Sequence, residues 1–492
     1  MRLVILAVLA VGCGGHTSRA VAPPAAMAAF PAARWVPARP SYVFASRTVD
    51  DAQRSLRDVI DVLGTITGYD LGDVTSALEG LLGVDPLHPD PLAAIGVDPH
   101  GSWAMFSEQL SPTIVVHLGA PDRMAAFLDK QRQRGVVAQP VTVDNTQVFS
   151  ATLGPVTLSW AIDGDWMWLH FARSTRDEGP SWFSASHGAH GADWTGNWAW
   201  AQQAAGAAAG LVGFFEPHGA IAGALARWPD AAACAKLVEP VGRIGVSVEG
   251  DGRHVAARIA VDVGSTTGVR SMLLPPPSGW NAAATHAAID AQWNLDLAAV
   301  RSWLSPCLAM AKGQLALADA TSVRTARGML LGFDPDKASG SGAIAFDIGS
   351  PAFLERQLDR IPLRRSLESA RSFGPYKGFS IDIPFSVTVD YVLDQKIALA
   401  ALGEGLLARL VAPAPSGANP PVPVVAVDVT PSVMSAQAWE ILVHALIQQS
   451  LAGSPGPSTK RFVEHLMRWR DAHLAVTAEP TELVFTASGN RK

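Results

Sequence analysis

The chain has 492 residues, enough for two or three domains, of which 48% are hydrophobic and 17% charged, a composition that excludes general disorder. A net charge of −6, with no basic tract and no aromatic-basic interleaving, argues against nucleic acid as a partner. Past the N-terminus no run approaches the ~20 apolar residues that a membrane-spanning helix needs.

The first predicted element is an export signal. Met1-Arg2 leads into the apolar run Leu3 to Val11, then Gly12-Cys13-Gly14-Gly15. This segment resembles a bacterial lipoprotein signal. The resemblance implies cleavage after residue 12 and lipidation of Cys13, which would tie the protein to a membrane through its acyl chains. By likeness to enterobacterial sorting, Gly14 implies the outer membrane; whether the body faces periplasm or cell surface stays open. The alternative is an ordinary secretory signal cut near Ala20 or Ala22, with Cys13 incidental. Residues 13–40 are rich in Ala and Pro and read as a lipid-anchored flexible tether, with ordered structure expected from about Ser41.

From there a single series of segments runs twice, as 41–275 and 276–492. Gly119-Ala120-Pro121 opens a helix after the predicted strand Thr113 to Leu118, and Gly349-Ser350-Pro351 does so after Ala343 to Ile348. Gly-apolar-Asp-Pro turns at Gly96 to Pro99 and Gly332 to Pro335 precede them. Downstream, Val156 to Asp163 matches Val387 to Asp394, and each passes through a tight turn into a further strand, Trp166 to Phe171 or Ile397 to Leu402. Strands at Leu211 to Glu216 and Val424 to Thr430 then lead to helices. The first half places these at His218 to Trp228 and Ala231 to Val238; the second at Ser435 to Gln449 and Lys460 to Trp469. A closing hairpin ends each half. The expected fold is α+β: two tandem, structurally similar halves, each of antiparallel hairpins packed on helices, joined by the proline-rich Leu273 to Gly279. This layout resembles a bacterial envelope family of unknown function, a likeness that transfers no catalytic residue.

Candidate sites are few. His187, His190 and Asp193 have donor types suited to a metal, but their glycine-rich surroundings fix no geometry, so neither metal nor cofactor is assigned. Trp194, Trp198 and Trp200 belong to a tryptophan-rich stretch and are candidates for contact with a ligand or partner; the alternative is a lid over the protein's own core. If Cys13 is lipidated, Cys234 and Cys307 remain, to be bridged or buried as free thiols. Nucleophile elbows, phosphate loops and zinc-hydrolase motifs are missing from the sequence. The expectation is a lipid-anchored, non-catalytic binding or scaffold protein of the cell envelope, partnered by an envelope protein. A carrier of a hydrophobic ligand is the first alternative and a hydrolase assembled from distant segments the second.

Overall fold

The computed structural model describes residues 29–67, 72, 75–76, 79–80, 83–107, 111–133, 136–175, 179–187, 195–205, 209–217, 240–277, 286–308, 322–337, 339–360, 364–383, 387–411, 422–450 and 459–492. They belong to two compact units. One comprises the described residues within His16–Gly219 together with Gly242–Val261, the other those within Ala220–Val241 and Asp262–Lys492. Both combine helices with a large antiparallel sheet, so the fold class is α+β.

The strands of the first unit are β1 (Tyr42–Ser46), β2 (Trp103–Ser107), β3 (Thr113–His117), β4 (Val136–Val137), β5 (Val141–Val143), β6 (Thr146–Leu153), β7 (Val156–Asp163), β8 (Trp166–Arg173), β9 (Leu211–Phe215), β10 (Arg243–Gly250) and β11 (His254–Asp262). Their pairing gives the order β5-β6-β7-β8-β3-β2-β1-β9-β10, with β4 continuing the β5 edge. Asp144 and Asn145, both at positive φ, make the two-residue turn from β5 to β6, a backbone twist that suits a hairpin. Gly164, at φ 55°, serves the turn from β7 to β8.

Side chains alternate across this sheet and both faces are covered. On one face Leu158, Trp160 and Met167 pack under Met124 and Leu128 of the helix Pro121–Arg132. That helix has Pro at its start, Asp122 in its first turn, and Lys130 and Arg132 in its last, as the helix dipole favours. On the other face Val43, Phe106, Val115, Trp168 and Phe214 pack with Phe30, Phe183 and Trp198.

Ordered structure therefore begins earlier than the sequence suggests. Pro31–Trp35 form a 3-10 helix with Ala32 and Ala33 fully buried, and Phe30 and Val36 are each 1% exposed. The alanines that made this stretch read as tether let its backbone approach the sheet closely: the Ala32 amide donates to Ser102 Oγ at 3.3 Å. Residues 13–28 of the expected tether, and the signal, lie outside the described residues.

In the second unit the strands are β12 (Ile289–Trp293), β13 (Val323–Asp334), β14 (Ser339–Ile348), β15 (Glu368–Phe373), β16 (Tyr376–Ile383), β17 (Val387–Leu393), β18 (Ile397–Leu402), β19 (Val425–Val429), β20 (Trp469–Ala478) and β21 (Glu482–Arg491). Their order is β15-β16-β17-β18-β14-β13-β12-β19-β20-β21. Leu406, Leu407 and Leu410, all 1% exposed or less, pack with Ala343, Leu399 and Ala401. Trp439, Val443 and Val463 close a second cluster around Ile289 and Leu330. Caps start the helices where the sequence places small polar residues. Asp296 accepts from the amides of Ala298 and Ala299, and Ser435 from that of Ala438. The residues Gly332 to Asp334, expected in a turn, extend β13 instead, and the reversal falls at Pro335–Lys337.

Tyr391 is clipped into this unit by Arg364 and Glu368: the guanidinium donates to the phenol oxygen at 3.0 Å and the phenol donates to the carboxylate. Burial first, and the bond to Glu368 second, push the phenol up to about 12. A free tyrosine titrates near ~10, so the folded state favours the protonated form. That contribution is fully present below about pH 10 and is lost as pH rises towards 12. Alkaline difference spectroscopy should find a phenol titrating late among the four tyrosines, and Tyr391→Phe should remove that step.

Candidate functional site

A cleft of about 330 Å³ lies over β6, β7 and β8 of the first unit. Strand alternation builds its floor. Ser150, Ser159, His170 and Thr113 stand directly opposite one another on four adjacent strands, hence on one face. The next row is Thr152, Thr157 and Ala172; on the other side the rows turn apolar with Val148, Ala161 and Trp168. One sheet face thus passes from an aromatic core into a hydroxyl-lined depression. Gln139, Ser174 and Gly179 add polar character at its margins, and Ala138, Val141 and Pro180 add apolar contact.

The hydroxyls pair across the strands. Ser150 Oγ and Ser159 Oγ are 2.7 Å apart, and Thr152 Oγ1 and Thr157 Oγ1 are 3.2 Å apart. One hydroxyl of each pair donates to the other, so the accepting hydroxyl keeps its own proton for a ligand. His170, 3% exposed, is fixed on two sides: Nδ1 shares a 2.9 Å hydrogen bond with Thr113 Oγ1, and the ring stacks on Trp182 at 4.8 Å and 3°. Among the described lining residues there is no carboxylate, lysine or arginine. The arrangement can donate and accept hydrogen bonds towards an uncharged polar molecule.

The residues singled out in the sequence lie elsewhere. Trp198 is 0% exposed and meets the Phe30 ring edge-on at 5.2 Å, which makes it core and removes it as a ligand contact. Trp200 is half-buried over Gly245, with the Arg243 guanidinium 4.4 Å from its ring. Both belong to the helix Thr195–Ala205. Trp194 lies outside the described residues. His187 ends the helix Ser181–His187, stacks on Trp35 at 5.7 Å and pairs with Asp163 at 2.9 Å. His190 and Asp193 lie outside the described residues, and no group of three potential metal ligands occurs among the described ones. Cys13 and Cys234 also fall outside, while Cys307 sits in the helix Leu297–Leu308. No helix among the described residues is long and apolar enough to cross a membrane.

Sequence reasoning missed the cleft. Its signal was the period-two run Val148-x-Ser150-x-Thr152 beside Thr157-x-Ser159 and His170-x-Ala172, hydroxyls in phase with the core residue Trp168. That phase becomes visible only once the register of three strands is known.

No protein-family model and no curated protein matches the chain. Among solved structures it is similar to TP0453 in three crystal forms. Form III gives a TM-score of 0.23 at 12% identity, over 43% of this chain and 78% of that one. Form I gives 0.26 at 9% identity over 50% and 81%, and form IV 0.28 at 9% over 49% and 83%. Likenesses this distant carry no functional argument.

Proposed function

We propose that this chain is a lipid-anchored envelope protein that binds, without transforming it, a small uncharged polar ligand in the cleft of its first unit. The carrying observation is the row of paired hydroxyls beside His170 on an otherwise core-forming sheet face. Each pair leaves one hydroxyl proton unshared, so a row of such pairs on a core face suits a ligand that accepts and returns hydrogen bonds. This favours a hydroxylated ligand over the greasy cargo of the carrier reading. The volume stands near the lower end of small-molecule sites, about 300–1,000 Å³, and fits a compact molecule. The apolar run before Cys13 supports export and anchoring.

The two units are, in this reading, copies of one ancestor. The strand orders run in parallel, β5-β6-β7-β8-β3-β2-β1-β9-β10 against β15-β16-β17-β18-β14-β13-β12-β19-β20. Local details recur with them. Stacked Phe149 and Trp160 correspond to stacked Phe379 and Tyr391. The Ser150–Ser159 bond corresponds to that from Ser380 to Asp390, also 2.7 Å. The Leu118 amide reaches the Asp165 carbonyl as the Ile348 amide reaches that of Lys396. In the second copy Ala401 takes the place of His170, and Leu406, Leu407 and Leu410 pack over the Ala401 row.

Saturation-transfer NMR with a panel of neutral monosaccharides and polyols tests the binding. At least one should bind the wild type and lose binding in Ser159→Leu, which fills the floor. A panel without binders, or equal binding by the variant, would remove the cleft from the account.

A further inference from the structure

We propose that the β15 edge of the second unit is a dimerisation surface, pairing antiparallel with β15 of a second copy of this chain. Among the described residues β15 pairs only with β16. Ser369, Ala370, Arg371 and Ser372 are all exposed and form a regular run with neither proline nor bulge. Edges of this kind present a row of unsatisfied amides and carbonyls, and proteins ordinarily interrupt them. The corresponding edge of the first unit is interrupted: β4 and β5 are short pieces separated by Ala138, Gln139 and Pro140. The edge of the first unit is guarded, and among the described residues its counterpart in the second is not.

The neighbouring face supports the same choice. Phe379 on β16 stands opposite Ala370 and is 40% exposed, with Ile344 at 38% and Leu402 at 36% on the same sheet face. In the first unit the helix Pro121–Arg132 lies over the equivalent aromatic row, with the Arg132 guanidinium 5.7 Å from Phe149. The equivalent helix of the second unit, Ala352–Leu358, has 7 residues against 12.

The occupant follows from self-complementarity. A two-fold axis perpendicular to the sheet keeps like faces together, so a residue must meet one of equal parity. Centred on Ala370, the pairing sets Ala370 against Ala370, Ser369 against Arg371 and Glu368 against Ser372. Small residues then meet at the axis, no like charges oppose, and the apolar row at Phe379 continues across the seam. Shifting the centre to Arg371 would place two guanidinium groups face to face, which disfavours that register.

Sedimentation velocity on the full chain, with disulfide trapping, tests this. The wild type should sediment as a dimer. Ala370→Asp, which opposes two carboxylates at the axis while occupying an exposed position, should halve the mass with an unchanged far-ultraviolet circular dichroism spectrum. Under mild oxidation Ala370→Cys should cross-link well above the wild-type background from the three native cysteines, and Arg371→Cys should not. A monomeric wild type, or a dimer that ignores Ala370→Asp and resists trapping at residue 370, would overturn the proposal.

Discussion

Trp198→Ala is expected to destabilise the first unit by roughly 3–5 kcal/mol, the usual loss when a buried aromatic is truncated. Trp198 has no exposed surface and joins the 3-10 helix at Phe30 to the sheet residues Phe106, Val115 and Phe214. Truncation removes the largest kind of side chain from a close-packed cluster and leaves a cavity beside Phe30. Domains of ordinary size are stable by about 5–15 kcal/mol, so the variant should unfold at a markedly lower urea concentration. A midpoint within error of the wild type would return Trp198 to a role in contact with something outside the chain.

The second large effect concerns the anchor. Cys13→Ser should abolish incorporation of a fatty-acid analogue and release the protein from membranes. Each buried methylene contributes ~0.8 kcal/mol, so two or more acyl chains hold a protein stably where none remains after the substitution. The cleft lies in a separate part of the chain, so its ligand should bind the released form unchanged. Equal labelling of wild type and variant would leave the chain exported without a lipid, or retained by other means.

Much of the strand framework was readable because alternation and turn chemistry are local. Val156 to Asp163 and Ile397 to Leu402 are strands with the bounds, or nearly the bounds, that their alternation implies. The hairpin turn falls at Gly164–Asp165, one residue on from the Asp163-Gly164 the sequence suggests, with Gly164 supplying the positive φ without steric cost. What remained hidden depends on register and on which helix covers which face. The tryptophans near residue 200 resemble contact residues by composition, but Trp198 occupies the side of its helix that meets the sheet. Ser150, Ser159 and His170 are far from conspicuous in sequence, being separated by hairpins, and become a site only when β6, β7 and β8 align them. Pro31 to Trp35 read as tether because alanine and proline give no periodicity, although small residues are what lets that segment lie against the sheet.

The central claim is that the hydroxyl row beside His170 meets a ligand. Its most direct test is the imidazole signal of His170, assigned by comparison with His170→Gln and followed by heteronuclear NMR while a neutral polyol or monosaccharide that binds is titrated in. The account predicts that the His170 ring shifts progressively to saturation at the affinity measured for the whole protein, while His473, on β20 of the second unit, does not respond. Saturation of binding with the His170 signal unmoved would place the ligand elsewhere and contradict the account.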